Sequence, residues 1–408
     1  MPGPLMLNRR ELPPTAGLPQ GFADYVSEPV LSLGEGLRRW LSIADPILTS
    51  SGSAALAVAL TTLRDLVPQR SEVIVPAYTC PLVPLAVSLV PGLRVVVCDT
   101  FAQGFDFDPQ MLAQLCGERT LAVLPTHLGG RVADVAAAIA IAHPRGVWVI
   151  EDAAQAMGAL DNGVSAGLAG DIGFFSLAMG KGLTSGEGGI LFSKDHTLRA
   201  ALETSADALL KPAFFRNLRR NLELLGYMIM YRPNRLWHVY GRRLVSALDA
   251  GDPVKAVGDY FTRQDIPLHR LDALRTRVAA NALSRLPDYL KKSRERAAQR
   301  LDILCSLPGL QVVRDRPNAQ GIWPFFMVLF PGGEQRDRAL TVLWRAGYGV
   351  TRLFIHALPD YDFLAPFLDP CLCPNARDFA GRMLTITNSH WLSEADFRAV
   401  VAAIRNCL

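Results

Sequence analysis

Apolar residues along this chain come in two rhythms. Runs of four to six, bounded by turn residues, fall at 73–76, 93–98, 122–125 and 147–150 and read as buried strands. Around them, apolar positions recur at helical spacing over 54–66, 134–142 and 198–210. Short apolar strands alternating with helices predict an α/β fold with a mostly parallel sheet. Ligands of such sheets bind beyond the carboxyl ends of the strands. Residues 1–45 read as a proline-punctuated arm with one amphipathic helix over 29–43. Toward the other end, a long helix over 271–298 is predicted to bridge to a smaller domain. That domain alternates strand (321–330), helix (334–346), strand (349–354) and a last helix (393–406). Ser393 and Asp396 at its start resemble a capping box with Asp in place of Glu. The expected organisation is an arm (1–45), a large domain (46–265) and a bridging helix with a small C-terminal α/β domain (266–408).

Charge changes this picture at one place. The chain has 408 residues and a formal net charge of +4. The stretch 211–243 holds one lysine and seven arginines against one glutamate, a net +7, so the remainder carries −3. Arg216, Arg219, Arg220 and Glu223 alternate with Leu218, Leu222 and Leu225 at steps of three and four, which predicts a basic amphipathic helix. It belongs to a basic insertion over about 205–262 with three open readings: a solvated face, a contact for an anionic nucleotide-sugar or a partner subunit, or a membrane-surface patch. No nucleic-acid partner is expected. Seven scattered cysteines, an odd number, read as free thiols of a reducing cytosol. The start, MPGPLMLNRRELPP, has no apolar core of a secretory signal. No run approaches the roughly 18 apolar residues of a spanning helix. The expectation is a cytoplasmic protein, with membrane association through 211–243 left open.

The chemistry gathers in 171–190, DIGFFSLAMGKGLTSGEGGI, where one lysine, Lys181, stands among apolar and glycine residues. Glycine is expected where the backbone takes positive φ or lies against a ligand. A lysine in apolar surroundings loses solvation of its charged form, so its pKa falls and its amine becomes a usable nucleophile. Upstream, the strand over 147–150 ends in Glu151 and Asp152. A strand closing in a carboxylate, followed by a glycine-framed lysine after the next strand, suits a carbonyl cofactor held as a Schiff base, with the carboxylate on a pyridinium nitrogen. Those are the requirements of pyridoxal phosphate (PLP). Ser50-Ser51-Gly52-Ser53 before the helix over 54–66 sets amides and hydroxyls at a positive helix end, a phosphate seat. The same serines also suit a plain cap.

EDAAQAMGA, GDIGFFSLAMGKGLTSGEGG, SSGSAALAVAL and VIVPAYTC together resemble the DegT/DnrJ/EryC1/StrS family of PLP-dependent sugar aminotransferases. The resemblance is specific over 46–193 and weakens beyond. It implies PLP fold-type I, a homodimer with active sites at the subunit interface, and transfer of an amino group from L-glutamate to a nucleotide-linked keto-sugar. It implies that Lys181 holds PLP and then shuttles a proton, and that Asp152 pairs with the pyridine nitrogen. Gln155 would meet the cofactor's 3-oxygen, Gly52, Ser53, Ala54 and Ser176 its phosphate, and His127 would lie near the ring. Arg270, Arg352 and His356 are candidate substrate residues. The family's dehydratases carry histidine in place of the lysine, so Lys181 argues against dehydration. The chain also departs from the family. Cys80 replaces a ring-stacking aromatic, with Tyr78 expected on the opposite face, and Gly182 replaces an asparagine. Leu268-His269-Arg270 keeps only the arginine of a subunit-bridging segment, and 351–356 replaces a histidine-rich substrate segment. Two alternatives therefore stand: an aminotransferase for a non-sugar or lipid-linked carbonyl, and a PLP-binding regulatory protein without turnover.

Overall fold

A computed structural model describes residues 10–408; the first nine residues of the predicted arm lie outside the described residues. Seven strands form the central sheet: β1 (Ile47–Thr49), β2 (Glu72–Pro76), β3 (Arg94–Cys98), β4 (Thr120–Val123), β5 (Trp148–Asp152), β6 (Ile172–Ser176) and β7 (Gly189–Phe192). Their order is β1-β7-β6-β5-β4-β2-β3. Neighbours from β3 through β6 run parallel, while β7 runs antiparallel to both β6 and β1. The strands are buried along nearly their whole length, which is why they read as apolar runs without alternation. Helices over Gly52–Leu66, Leu82–Ser88, Val135–Ala142 and His196–Leu209 cover the sheet.

The C-terminal region has its own four-stranded antiparallel sheet. It pairs β8 (Gln311–Val312), β9 (Phe325–Leu329), β11 (Met383–Thr387) and β10 (Val350–Thr351), in that order. Two predicted strands come out shorter, for local reasons. Trp323 sits at φ +50° just before Pro324, so β9 starts only at Phe325. Beyond Thr351, the Phe354 amide donates to Tyr78 Oη and the Ile355 amide to Asp259 Oδ2, which takes this segment out of the sheet. The predicted bridging helix is two helices, Ala273–Leu283 and Leu286–Cys305. Pro287 in the first turn of the second has no amide to donate, and its ring would collide with the Leu283 carbonyl of a continuous helix. At the last helix, Ser393 Oγ accepts the Asp396 amide, the half of the capping box that serves the helix.

The basic stretch is helical, as its spacing predicts, over Phe214–Met230. The chain then continues through Pro233–Leu236, a wide turn over Trp237–Gly241, and helices Arg242–Asp249 and Pro253–Val257. Leu244, Ala247 and Ala256 join the apolar core of the C-terminal sheet with Phe326, Leu343 and Trp344. Asp249 pairs with Arg345 at 2.5 Å. The insertion thus crosses from the large sheet and seals onto the small one.

The N-terminal segment is strapped into the same junction. Glu11 donates its amide to Pro233 O, and its carboxyl is buried beside Gly241 without an ion-pair partner among the described residues. Burial pushes this carboxyl from 4.5 up to about 8. The folded protein therefore keeps a proton that the unfolded chain has already released, and stability should fall as pH rises from about 4.5 to about 8. Thermal melts at several pH values should show this decline in the wild type. Glu11→Gln should flatten it and melt above the wild type under alkaline conditions; an equally steep decline in the variant would contradict the assignment.

Candidate active site

The site grows from the carboxyl end of β5. Side chains alternate along a strand, so Glu151 and Asp152 go to opposite sides. Glu151 turns inward, 1 % exposed, and accepts from Gly170 N (2.5 Å), Gly167 N (2.8 Å) and His127 Nε2 (2.9 Å). Burial pushes the carboxyl up, but the hydrogen bonds from His127, Gly170 and Gly167 outweigh it and hold Glu151 below its ordinary value. His127 Nδ1 accepts the Ala133 amide at 3.0 Å, so the proton sits on Nε2 and the ring is neutral. Both ring nitrogens are thus engaged within the protein. The Asp152 backbone is pinned to the next loop, its amide on Pro125 O and its carbonyl on the His127 amide.

Asp152 faces the other way. Its Oδ1 accepts the Ala154 amide at 3.0 Å, and its Oδ2 has no hydrogen-bond partner among the described residues. Burial raises its pKa, against the pull of the Ala154 amide and the attraction of Lys181. The side chain of Lys181, half-buried after β6, makes no hydrogen bond or ion pair among the described residues. Burial lowers its pKa, against attraction from the Cys80 and Asp152 side. The two groups lie close enough to influence each other's titration. Cys80 itself is held as a thiol, pushed by burial up to about 12. Tyr78 points away into the core, edge-on to Phe354 and Phe379, as expected.

Two segments clamp the Lys181 loop. Gly17 packs so tightly on it that a Cβ there would stand 2.5 Å from the Lys181 carbonyl oxygen. Leu18 N donates to Gly182 O, and Gln20 Nε2 to Thr184 O. From the insertion, Leu224 covers Gly186, and Arg220 pairs with Glu187 at 2.8 Å. Gly180 and Gly186 take φ near +80°, conformations that a side chain would strain.

At the start of the helix Gly52–Leu66, Gly52 lies against β6, where a Cβ would stand 3.2 Å from that of Ser176. This brings the predicted phosphate residues together. The Ala54 amide donates to Ser51 Oγ at 3.0 Å. The Gly52 and Ser53 amides, at the helix start, have no helical acceptor.

A cavity of about 310 Å³ borders Lys181, with Gln155, Thr15, Tyr240, Asp259, Phe325 and Arg352 in its wall. Gln155 Oε1 accepts the Gly129 amide at 2.8 Å, which leaves its NH₂ group to donate. Arg352 donates to Ile355 O and Ala380 O, and burial lowers its pKa to about 10. Arg270 is elsewhere, paired with Glu203 and Asp207, both at 2.7 Å. His356 stacks edge-on to Tyr361 outside the cavity wall. Of the three candidate substrate residues, Arg352 alone lines this cavity. Thr15, Tyr240 and Asp259 were not singled out by sequence.

The model of the DegT/DnrJ/EryC1/StrS aminotransferase family matches residues 22–220 and 267–405, leaving 221–266 unmatched. Protein MosB of Rhizobium meliloti is 35% identical over 162 residues, 40% of this chain but only 31% of that protein. The dTDP-3-amino-3,4,6-trideoxy-alpha-D-glucose transaminase of Streptomyces venezuelae is 27% identical over 360 residues, 87% of this chain and 81% of the relative. The PLP-form structure of Spr1654 from Streptococcus pneumoniae superposes with a TM-score of 0.72 at 15% identity, over 97% of this chain and 98% of that one. This likeness shows a shared fold. With the family model spanning most of the sequence, the chain belongs to the DegT/DnrJ/EryC1/StrS aminotransferase family.

Proposed function

We propose that the protein is a PLP-dependent aminotransferase that moves an amino group from L-glutamate to a keto-sugar, with the sugar carried on a nucleotide. The observation that carries this reading is the nearness of a desolvated lysine to a buried carboxylate, with the lysine amine and Asp152 Oδ2 both without a hydrogen-bond partner among the described residues. The residues present fit PLP. Asp152 Oδ2 is free to pair with a ring nitrogen, and the NH₂ of Gln155 is free to meet a ring oxygen. Gly52, Ser53 and Ser176 form a start-of-helix anion seat. The sugar acceptor follows the relatives, such as the dTDP-aminosugar transaminase. In this reading the protein is a homodimer, an assignment that rests on family resemblance.

Bound PLP supplies an electron sink for the carbanion left when a proton departs the donor's Cα. The chain's own residues do the rest. Burial favours the uncharged amine of Lys181, the form that can attack an aldehyde. With PLP in the site, the Lys181 amine would be the group placed to hold it and to move a proton at the donor's Cα. Asp152, through its open Oδ2, would hold a ring nitrogen of the cofactor protonated. Glu151 acts as a positioning residue by fixing the backbone from which Asp152 projects. Arg352, on the cavity wall, supplies positive charge for an anionic substrate group.

Two measurements test this reading. Protein loaded with PLP should show a visible absorbance band that L-glutamate bleaches; Lys181→Ala should lack the band and lose roughly 10²–10⁴-fold in the rate of this half-reaction. A band that survives the substitution, or PLP binding with no response to glutamate, would contradict the assignment. Glu151→Gln sets an NH₂ group against donors and should cost about 2–4 kcal/mol in urea unfolding. It should also slow the glutamate reaction. Unchanged stability would remove Glu151 from its positioning role.

A further inference from the structure

The helix Phe214–Met230 is packed on one side only. Leu224 and Tyr227 are buried against the rest of the protein, whereas Phe214 (73%), Phe215 (83%), Leu218, Leu222, Leu225 and Ile229 are exposed. Apart from Phe215, these residues follow one another at steps of three and four, so they form a single apolar stripe. An exposed stripe of this length is a mark of an interaction surface. Phe22 and Val26 are also exposed, and they flank Tyr25, whose Oη donates to the Leu224 carbonyl.

Within residues 211–243, the charges without an ion-pair partner among the described residues have one sign. Arg216, Arg232, Arg235, Arg242 and Arg243 are exposed and make no ion pair among the described residues. The segment's one acid, Glu223, is already held by Arg219 (2.9 Å) and Arg220 (2.6 Å). A two-fold contact between copies through this face would bring cations against cations, because an isologous interface must be self-complementary. An anionic surface meets no such penalty. The helix therefore has the composition of one lying in a bilayer interface: aromatic and aliphatic residues toward the acyl boundary, arginines toward the headgroups. It cannot cross a membrane; no helix among the described residues is long and apolar enough.

We propose that the helix Phe214–Met230, with the arginines that follow it, docks this enzyme on an anionic lipid bilayer. The proposal does not depend on the reading of Lys181. A second observation links the surface to the site. Gly226, Tyr227 and Met230, on the inner side of the same helix, line a cavity of about 660 Å³. That cavity shares Thr15, Met179, Gly180 and Tyr240 with the cavity at Lys181. Arg219 and Arg243 also line it, so its mouth opens on the basic face. Docking would place an opening toward the active site at the headgroup layer.

Full-length, PLP-loaded protein should be sedimented with vesicles of phosphatidylcholine alone and with vesicles containing phosphatidylglycerol. The protein should pellet with the anionic vesicles, much less with the neutral ones, and progressively less as salt rises toward about 0.5 M. The double variant Phe214→Ser/Phe215→Ser, both at exposed positions, should weaken vesicle binding by roughly tenfold or more. Arg242→Glu/Arg243→Glu should do likewise by charge alone. Both variants should keep the wild-type melting temperature and cofactor spectrum. Absence of binding to anionic vesicles would overturn the proposal, as would binding untouched by either variant. So would sedimentation velocity showing that the phenylalanine substitutions split a dimer while the wild type ignores vesicles, since the stripe would then join two copies of the chain.

Discussion

A buried carboxylate costs several kcal/mol unless donors meet it, and Glu151 is met by three. These donors come from separate places: a ring in the loop after β4 and two amides in the loop before β6. Meeting them fixes the end of β5 relative to both neighbouring connections. The next residue, Asp152, inherits that rigidity on the opposite side of the strand. With its amide and carbonyl also bonded to Pro125 and His127, it has little freedom to swing toward water. The site's acid is thus aimed by the acid behind it, and His127 belongs to this support.

The lysine side is built differently. Its loop is glycine-rich and would be soft alone, and it is made firm by what lies on it: the arm through Gly17 and Leu18, the insertion through Leu224 and Arg220. The cover also removes water. Burial moves both Lys181 and Asp152 toward their neutral forms, so electrostatic interactions with a ligand gain strength in the drier surroundings. The insertion serves two sheets at once, since the far end of it completes the core of the C-terminal sheet. The cavity at Lys181 takes its wall from the arm, the insertion and the small domain as well as from the large one.

What could be read from sequence was what short-range chemistry dictates. The apolar runs, the acids closing β5, the glycines around Lys181 and the serines before the helix at Gly52 all lie within a few residues of the feature they determine. The break before Leu286 was also local, carried by Pro287, but the helical spacing on both sides masks it. Other features depend on partners far away in the chain. Arg270 is drawn off by Glu203 and Asp207 on a different helix, and β10 ends early because Tyr78 and Asp259 capture amides from the segment beyond it. Nothing in the arginine-rich stretch itself indicates that its continuation packs on the small domain. The role of the arm was similarly hidden, because contact of Gly17 with the Lys181 carbonyl is a property of the folded chain alone.

We propose Lys181 as the residue that holds a carbonyl cofactor, and chemical trapping tests this without any substrate. PLP-loaded protein can be reduced with borohydride, digested and mapped by mass spectrometry. The account predicts one pyridoxyl modification, on the peptide containing Lys181. A modification centred on another lysine, or none at all, would contradict it.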